Sequence, residues 1–513
     1  MHPDFKSLFI LYTSITVACV LFRIAYKEKD TFQWAKPWFI FVAVGAITTN
    51  IWLLYFSVII VCLNSAPKKL DEKVFYYLVI FVAMPDLQFK LPFPGINYLF
   101  ILEYPRLLAL VVLLPIYFEL RKRKQDIETI PLDKFVLAYC IVSTLLDFRL
   151  DTSITFWARS AFMTFLDIWL PYYVISNVKA DHRRWILAIL FSALILAVEG
   201  VIEWRLIWKS YAKFARHIDD VNINKIWIRN YFRGLGLRIS TSWFEPITFG
   251  TFIATMIYAA FNIKRLGKQQ NFFGYMVMGV MTLALLFTDS RGAILTCLIA
   301  LAAGFYFHFP SKGWKSFYKF GVVVGVVVVY LAMETLSGMD EEGTFDYRAQ
   351  LVVNSVDAIS RNPLLGTPFY RSNEVLVETM MQGQGIVDFV NTYLKTLLQY
   401  GAVGLFLFLG MFLYAIFKMF SRVSALEKVG DERYHVGTIL IGMICGLAVV
   451  IATVSPVAYL MDYVWFTLAM ISGYIKQTAD LGVKKPVADT AVAAAAQAPP
   501  GVATTHRLGA GPH

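Results

Sequence analysis

The stretch Val436–Val454 reads VGTILIGMICGLAVVIATV, which is nineteen residues without a charged side chain. A second run, Phe272–Thr288, reads FFGYMVMGVMTLALLFT and is also free of charge. A helix needs about 20 apolar residues to cross the roughly 30 Å of hydrocarbon in a bilayer. Because both runs come close to that length, each is predicted to be a membrane-spanning helix.

The whole chain has the composition of a membrane protein. Of its 513 residues, 58% are hydrophobic and 16% are charged, and the mean hydropathy is +0.59. Soluble domains carry about 25% charged residues, so no sizeable soluble domain is expected. The apolar segment Ser7–Ala25 lacks a small-residue cleavage site after it and is predicted to be a retained span. The five cysteines lie inside apolar runs without ligand spacing, so no metal or cofactor is expected.

Clusters of Lys and Arg alternate with the apolar runs, and two spans separate each neighbouring pair of clusters. Basic residues are retained on the cytoplasmic side of membranes, so one assignment puts every cluster and both termini there. The net charge of +11 is therefore read as a topology signal, and no nucleic-acid partner is expected. The predicted spans are 6–25, 38–62, 73–85, 105–120, 134–148, 153–176, 185–204, 246–263, 272–288, 292–309, 319–337, 392–417, 436–454 and 458–475.

The predicted fold is all-α: a polytopic transmembrane bundle of about 12–14 spans over residues 1–480. Segment 73–85 is short for a full span, and segment 38–62 is either kinked or a re-entrant pair. The Ala/Pro/Gly-rich segment 481–513 has few large apolar side chains and is predicted to be a disordered cytoplasmic tail.

Two longer loops, 205–245 and 338–391, face the opposite side, and we expect them to form the active-site cavity. Loop 205–245 holds eight basic residues against two aspartates, which is unusual for an external loop. These cations either bind anionic lipid headgroups or hold a phosphorylated lipid through guanidinium forks. Arg229, Arg233 and Arg238 lie nearest the next span and are the candidates for the second role.

Three charged residues at membrane depth also require a partner or a polar cavity. Arg291 lies between two spans and either pairs with Asp289 or faces the substrate at the cavity roof. Glu245, directly before Pro246, is either a helix N-cap or a catalytic or acceptor-binding carboxylate. Asp167 lies in the middle of a span and must face the bundle interior, but the sequence does not name its partner.

Four stretches in this order resemble the O-antigen ligase/polymerase superfamily, whose members build bacterial surface polysaccharides. They are RISTSWFEPITFG (Arg238–Gly250), DSRGA (Asp289–Ala293), Arg348 followed by RNPLLG (Arg361–Gly366), and NTYLKTLLQYGAVGL (Asn391–Leu405). The resemblance implies a multi-pass enzyme of the bacterial inner membrane with its active site on the periplasmic face. It further implies an inverting, metal-independent glycosyltransferase that takes glycan from undecaprenyl pyrophosphate.

In that reaction, Arg238 and Arg291 would stabilise the leaving pyrophosphate. Arg348 is either a glycan contact or half of a structural ion pair, while Asn391 and Tyr393 are candidates to bind the sugar. Ligases of the family carry a histidine before the asparagine, where this chain has Val390. Asp388 and Glu245 are the carboxylates nearest to replacing it as the base, although Asp388 could instead cap the following helix.

The missing histidine favours a repeat-unit polymerase for exopolysaccharide or O-antigen. The alternatives are an O-antigen ligase acting on lipid A-core and, from another class, a lipid-linked oligosaccharide flippase or other transporter. The expected partners are undecaprenyl-pyrophosphate-linked oligosaccharide and membrane lipids. A chain-length regulator and export machinery are further candidate partners.

Overall fold

The structure is a computed structural model, and it describes residues 4–123, 128–151, 153–219, 221, 230–234, 236–263, 272–309, 311–318, 321, 344–381 and 387–479. Three predictions fall outside these residues, namely the span 319–337, the tail 481–513 and the role of Arg229. The described part is mostly helical, with two-residue strands only in two short hairpins, so the predicted all-α fold is confirmed.

The helices follow the predicted spans closely. In chain order they are α1 Phe5–Tyr26, α2 Thr31–Ile47, α3 Ile51–Ser65, α4 Leu70–Ile80, α5 Tyr104–Leu108, α6 Leu114–Lys122, α7 Pro131–Asp147, α8 Ile154–Thr164, α9 Leu170–Asn177, α10 His182–Leu206, α11 Ser210–His217, α12 Pro246–Ile263, α13 Phe272–Phe287, α14 Arg291–Phe305, α15 Thr344–Arg361, α16 Glu374–Met380, α17 Thr392–Lys428, α18 Arg433–Val450 and α19 Leu460–Gln477. The hairpins pair β1 Phe89–Lys90 with β2 Ile101–Leu102 and β3 Phe232–Arg233 with β4 Gly236–Leu237.

Length and apolar composition identify five of the described helices as candidate membrane spans. They are α1, α10, α14 with the 3₁₀ turn that extends it to His308, α17 and α18. α3 and α13 are apolar but shorter. Two other spans contain a π-helical segment, Ala109–Leu113 between α5 and α6 and Phe165–Trp169 between α8 and α9. The chain is therefore a polytopic membrane protein built around α10, which is buried along nearly its whole length.

The prediction of cytoplasmic termini requires α1 to begin and α19 to end at the same end of the bundle, and the structure contradicts this. Near the start of α1, Ser7 Oγ accepts a bond from Trp208 Nε1 just beyond the end of α10 (2.9 Å). At the other end of the chain, Gln477 Nε2 donates to Val178 O just before α10 begins (3.3 Å). Because the 25 residues of α10 extend over roughly 37 Å, these two contacts lie at opposite ends of the bundle.

The error comes from segment 38–62, which forms two helices instead of one kinked span. α2 ends at Ile47 and α3 begins at Ile51, with a turn of three residues between them. Asn50 caps α3 by accepting the amides of Trp52 (2.8 Å) and Leu53 (3.3 Å). The extra reversal brings the start of the chain to the end of the bundle that carries loop 205–245.

α17 bends at Gly401, where φ of 68° and ψ of −167° leave the helical range. The RNPLLG loop enters this break, and the Thr367 amide donates across it to Leu398 O (2.7 Å). Gly366 also has a φ of 68°, and a Cβ placed there would lie 2.5 Å from Gly401 N. A Cβ on Gly401 would lie 2.2 Å from Leu364 O, so only glycine fits at either position.

Arg149, in the turn after α7, binds the backbone where the RNPLLG loop meets the bend of α17. Its guanidinium donates to Gly366 O (2.8 Å), Leu365 O (3.0 Å) and Gln399 O (3.1 Å), and to Leu146 O in its own turn (3.0 Å). The bend in a helix leaves backbone carbonyls without partners, and these must be satisfied at membrane depth. Arg149 therefore fixes the RNPLLG loop and the bend of α17 as one unit.

Gly401→Ala should destabilise the protein more than Gly430→Ala, which provides a matched control. Gly430 has nearly the same φ (69°), but a Cβ there would meet nothing within 4 Å. We expect Gly430→Ala to lower the free energy of unfolding by about 1 kcal/mol and Gly401→Ala by about 2–4 kcal/mol. Thermal unfolding in detergent measures both variants, and equal losses would contradict the close backbone contact.

Candidate functional site

Two helices begin side by side at the end of the bundle that carries loop 205–245. A Cβ placed on Gly250 of α12 would lie 2.7 Å from the Ala293 Cβ of α14, so the first turns of these helices are in close contact. Ser290 caps α14 by accepting the Ala293 amide (3.2 Å). The N-terminus of a helix carries a partial positive charge and free amides that favour anions. This paired start is therefore suited to a negatively charged group.

Arg238 and Arg233 approach the start of α14 from the β3–β4 hairpin. Arg238 Nε donates to Thr288 O (3.0 Å), and the next amide, Ile239 N, donates to the last residue of α13 (3.2 Å). Arg233 belongs to β3, and the following Gly234 lies against Asp289, whose Oδ2 is 3.6 Å from the position of a glycine Cβ. Arg233 therefore belongs to this hairpin and Arg238 directly follows it, and the segment contacts residues 287–289.

Arg291 and Arg348 reach the same helix start. Arg291 is the first residue of α14 and is exposed. Arg348, on α15, donates from Nη2 to Thr453 O (3.1 Å), and Thr453 Oγ1 lies 3.5 Å from the position of a Cβ on Gly292. The structure therefore brings the predicted residues Arg233, Arg238, Arg291 and Arg348 to the surroundings of one turn.

Asp388 lies beside this arginine group, in the turn before α17. Its Oδ1 accepts a bond from Ser455 Oγ (2.6 Å), two residues after Thr453. The Tyr347 hydroxyl accepts the Asp388 amide (3.1 Å) and donates to the Asp388 carbonyl (2.9 Å). Since Tyr347 precedes Arg348 on α15, one helix places both the arginine and the carboxylate.

The structure assigns helix caps to Asn391 and Glu245. Asn391 Oδ1 accepts the Leu394 amide (3.0 Å) at the start of α17, so the hypothesis that Asp388 caps this helix is wrong. Asp388 and Asn391 precede the helix, so the helical spacing expected between them does not apply. Glu245 Oε2 accepts the Thr248 amide (2.7 Å) and caps α12, the structural alternative expected for it.

Tyr393 does not join the group. Its hydroxyl donates to Ala448 O of α18 (2.9 Å), and its ring lies against Phe408 and Phe412 inside the bundle. The structure uses this tyrosine to pack α17 on α18. Ser455 and Tyr347 are the contacts of Asp388 that sequence reasoning missed, because no motif spacing links residues 347, 388 and 455.

A family described as O-Antigen ligase matches residues 276–409. The resemblance to the O-antigen ligase/polymerase superfamily is confirmed. The match runs from α13 into α17, and it includes Arg291, Arg348 and Asp388 and the glycine contact at the bend. It implies glycan transfer of the ligase/polymerase type at a membrane, with lipid-linked glycan substrates. A comparison with curated proteins returns no match for the chain.

Variants of Glu245 should separate the stabilising effect of its helix-capping bond from the effect of its titration. Glu245→Ala removes the oxygen that accepts the Thr248 amide, so we expect about 1 kcal/mol less stability. Burial raises the pKa of the Glu245 carboxyl above its ordinary 4.5, against the opposing effects of the Thr248 and Ile247 amides and the Arg238 charge. The folded chain then binds more protons than the unfolded chain above pH 4.5, so this group makes stability fall as pH rises.

Glu245→Gln retains an acceptor for the cap and removes the titration. We therefore expect its melting temperature, relative to that of the native protein, to rise as the pH increases from about 4 upward. Thermal unfolding of the native protein, Glu245→Gln and Glu245→Ala across that range measures both effects. A difference between Glu245→Gln and the native protein that does not change with pH would contradict the raised pKa.

Proposed function

We propose that the chain is a repeat-unit polymerase for exopolysaccharide or O-antigen, with undecaprenyl-pyrophosphate-linked oligosaccharide as the donor. The observation that supports this proposal is that the segments of Arg233, Arg238, Arg291 and Arg348 lie around the start of α14 and the turn before it. A diphosphate offers several anionic oxygens, and guanidinium groups bind such oxygens through two parallel hydrogen bonds. The N-terminus of α14 adds a positive field of the same sign, whereas that of α12 is capped by Glu245.

Transfer forms one bond and breaks one bond at the anomeric carbon of the donor sugar. The acceptor hydroxyl oxygen attacks this carbon from the face opposite the diphosphate, and the carbon–oxygen bond to the diphosphate breaks with inversion. The leaving diphosphate takes the bonding electrons, so negative charge grows on it in the transition state. Arg238 and Arg291 stabilise that charge, and donors preorganised at such a position account for much of the rate enhancement in enzymes.

Asp388 is the base that receives the proton of the acceptor hydroxyl. The Ser455 hydroxyl bonds to Oδ1 and Tyr347 fixes the backbone, so the carboxylate has a defined orientation. Glu245 is the weaker candidate, because its Oε2 already accepts the Thr248 amide as the cap of α12. Arg348 lies between this carboxylate and the start of α14, where it would contact glycan.

One observation favours the alternative of an O-antigen ligase acting on lipid A-core, since the matched family carries that description. Against it, Val390 stands where ligases carry their histidine. A flippase would need basic side chains along a path through the membrane, whereas the arginine group lies at one end of the bundle. The lipid-linked glycans of a deletion strain test the three readings.

Single repeat units on the lipid, accumulating in the deletion strain, are expected for a polymerase. Long polymer on the lipid would instead indicate a ligase, and lipid-linked units retained on the cytoplasmic face would indicate a flippase. Arg291→Lys should reproduce the deletion, because lysine retains the charge but loses the planar fork. Arg371→Lys, an exposed arginine of loop 338–391, is the control and should restore polymer. Normal polymer with Arg291→Lys would count against a diphosphate role for this residue.

Asp388→Asn should lower the turnover rate by about a hundredfold or more, the usual contribution of a positioned general base. The variant retains the acceptor oxygen for Ser455, so protein level and melting temperature should stay close to those of the native protein. Glu378→Gln, which neutralises an exposed carboxylate on α16, is the matched control. Full turnover by Asp388→Asn would transfer the role of base to Glu245 or to the substrate.

A further inference from the structure

We propose that Glu203 is a positioning residue for Arg238, an inference that rests on the diphosphate role of Arg238 proposed above. Glu203 lies in the last turn of α10, behind the segment that follows Arg238. Its Oε1 accepts the Ser240 amide and its Oε2 accepts the Thr241 amide, both at 3.3 Å. The side chain is 1% exposed. One buried carboxylate thus holds two successive amides of the segment directly after the arginine.

Lys209 completes this buried network. It is 4% exposed, and its Nζ donates to the Ser240 hydroxyl (3.0 Å). Glu203 and Lys209 therefore act on the same residue of the segment, one through the backbone and the other through the side chain. A buried carboxylate requires a cation and hydrogen-bond donors close to it, and this site supplies both. Lys209, one of the basic residues of loop 205–245, thus has its role in the interior of the protein.

The segment needs such support because its backbone is strained. Thr241 has a φ of 50° and Phe244 a φ of 59°, values that favour glycine and are especially costly for a β-branched residue. Residues in these conformations persist only where the surrounding structure holds them, and they concentrate at functional sites. The Glu203 carboxylate bonds directly to the amide of the first strained residue, Thr241.

The residue after Glu203 fixes the other side of Arg238. The Trp204 indole stacks on the Phe287 ring, with centroids 4.1 Å apart and planes 2° from parallel. Phe287 O accepts the Ile239 amide (3.2 Å), and Thr288 O accepts Arg238 Nε (3.0 Å). The last turn of α10 therefore sets both the backbone after Arg238 and the carbonyl group that orients its guanidinium.

Glu203→Gln tests this role, because the amide side chain has one acceptor oxygen and can retain only one of the two backbone bonds. We expect the KM for lipid-diphosphate donor to rise and the kcat/KM for donor to fall by about tenfold, the effect of losing one hydrogen bond to a charged group. The KM for acceptor glycan should stay unchanged, since Arg238 contacts only the donor. The assay uses full-length protein in detergent with purified lipid-linked repeat units.

Glu199→Gln is the matched control. Glu199 lies one turn earlier on α10 and is 0% exposed, and its polar neighbours are Glu203, Lys209 and Ser210, whereas the two amides of the segment after Arg238 bond to Glu203. This variant also neutralises a buried carboxylate of α10 but leaves both bonds to the segment intact. We expect its donor KM to equal that of the native protein. If the Glu203→Gln protein does not accumulate in the membrane, the double variant E203Q/K209M is assayed in its place, because it removes the two buried charges of Glu203 and Lys209 together.

A double-mutant cycle with Arg238→Ala decides whether Glu203 acts through the arginine. In the Arg238→Ala background, Glu203→Gln should have no further effect on donor kinetics. An additive loss, an equal change in the KM for acceptor, or an unchanged donor KM in Glu203→Gln would each overturn the positioning role. Native donor kinetics in Arg238→Ala alone would instead overturn the proposed diphosphate role, so the two failures are distinguishable.

Discussion

The close contact of α12 with α14 is the constraint on which the site depends. It requires a residue without a side chain at Gly250 and a small residue at Ala293, because a Cβ on the glycine would lie 2.7 Å from the alanine Cβ. Small residues let helix backbones approach closely in membranes, where packing replaces the hydrophobic effect as the driving force. The contact aligns two helix starts at one end of the bundle, and the arginines of β3, α14 and α15 then gather around a field that already favours anions.

Three charged groups of the described bundle follow one rule, which is that each is held by a specific geometric partner. Asp167 receives two bonds of 2.8 Å from Arg106, and this is the partner that the sequence left unnamed. The carboxylate belongs to a π-helical segment, Phe165–Trp169, and such segments are frequent at functional sites. Arg149 at the bend of α17 and Glu203 behind Arg238 obey the same rule with backbone groups as partners. Polar side chains thus fix irregular backbone at several points of this protein.

Hydropathy predicts most of the helices because the bilayer sets their length and excludes unpaired backbone groups. It fails at 38–62, because α2 and α3 are each shorter than a standard span and only three residues join them. The two helices therefore read as one long apolar segment. The motifs predict which segments carry the candidate functional residues but not which of these segments contact one another. RNPLLG and the glycine of the YLxxLxxxG stretch are 35 residues apart from Gly366 to Gly401, yet they form one backbone contact. Contacts such as Ser455 with Asp388 join distant loops, and a single sequence carries no signal for them.

The assignment of Asn391 and Glu245 to helix caps narrows the chemistry that remains for Asp388. A capping oxygen bound to a backbone amide must give up that bond to act on a substrate, which weakens the start of its own helix by about 1 kcal/mol. Asp388 carries no such obligation, because its contact with Ser455 occupies Oδ1 and is made by a hydroxyl that can rotate. A base has to accept and release a proton in each cycle. Asp388, which lies outside the helix caps, is therefore better placed for this role than Glu245. The fold therefore uses the Glu245 carboxylate as a helix cap and leaves Asp388, the proposed base, outside the helix caps.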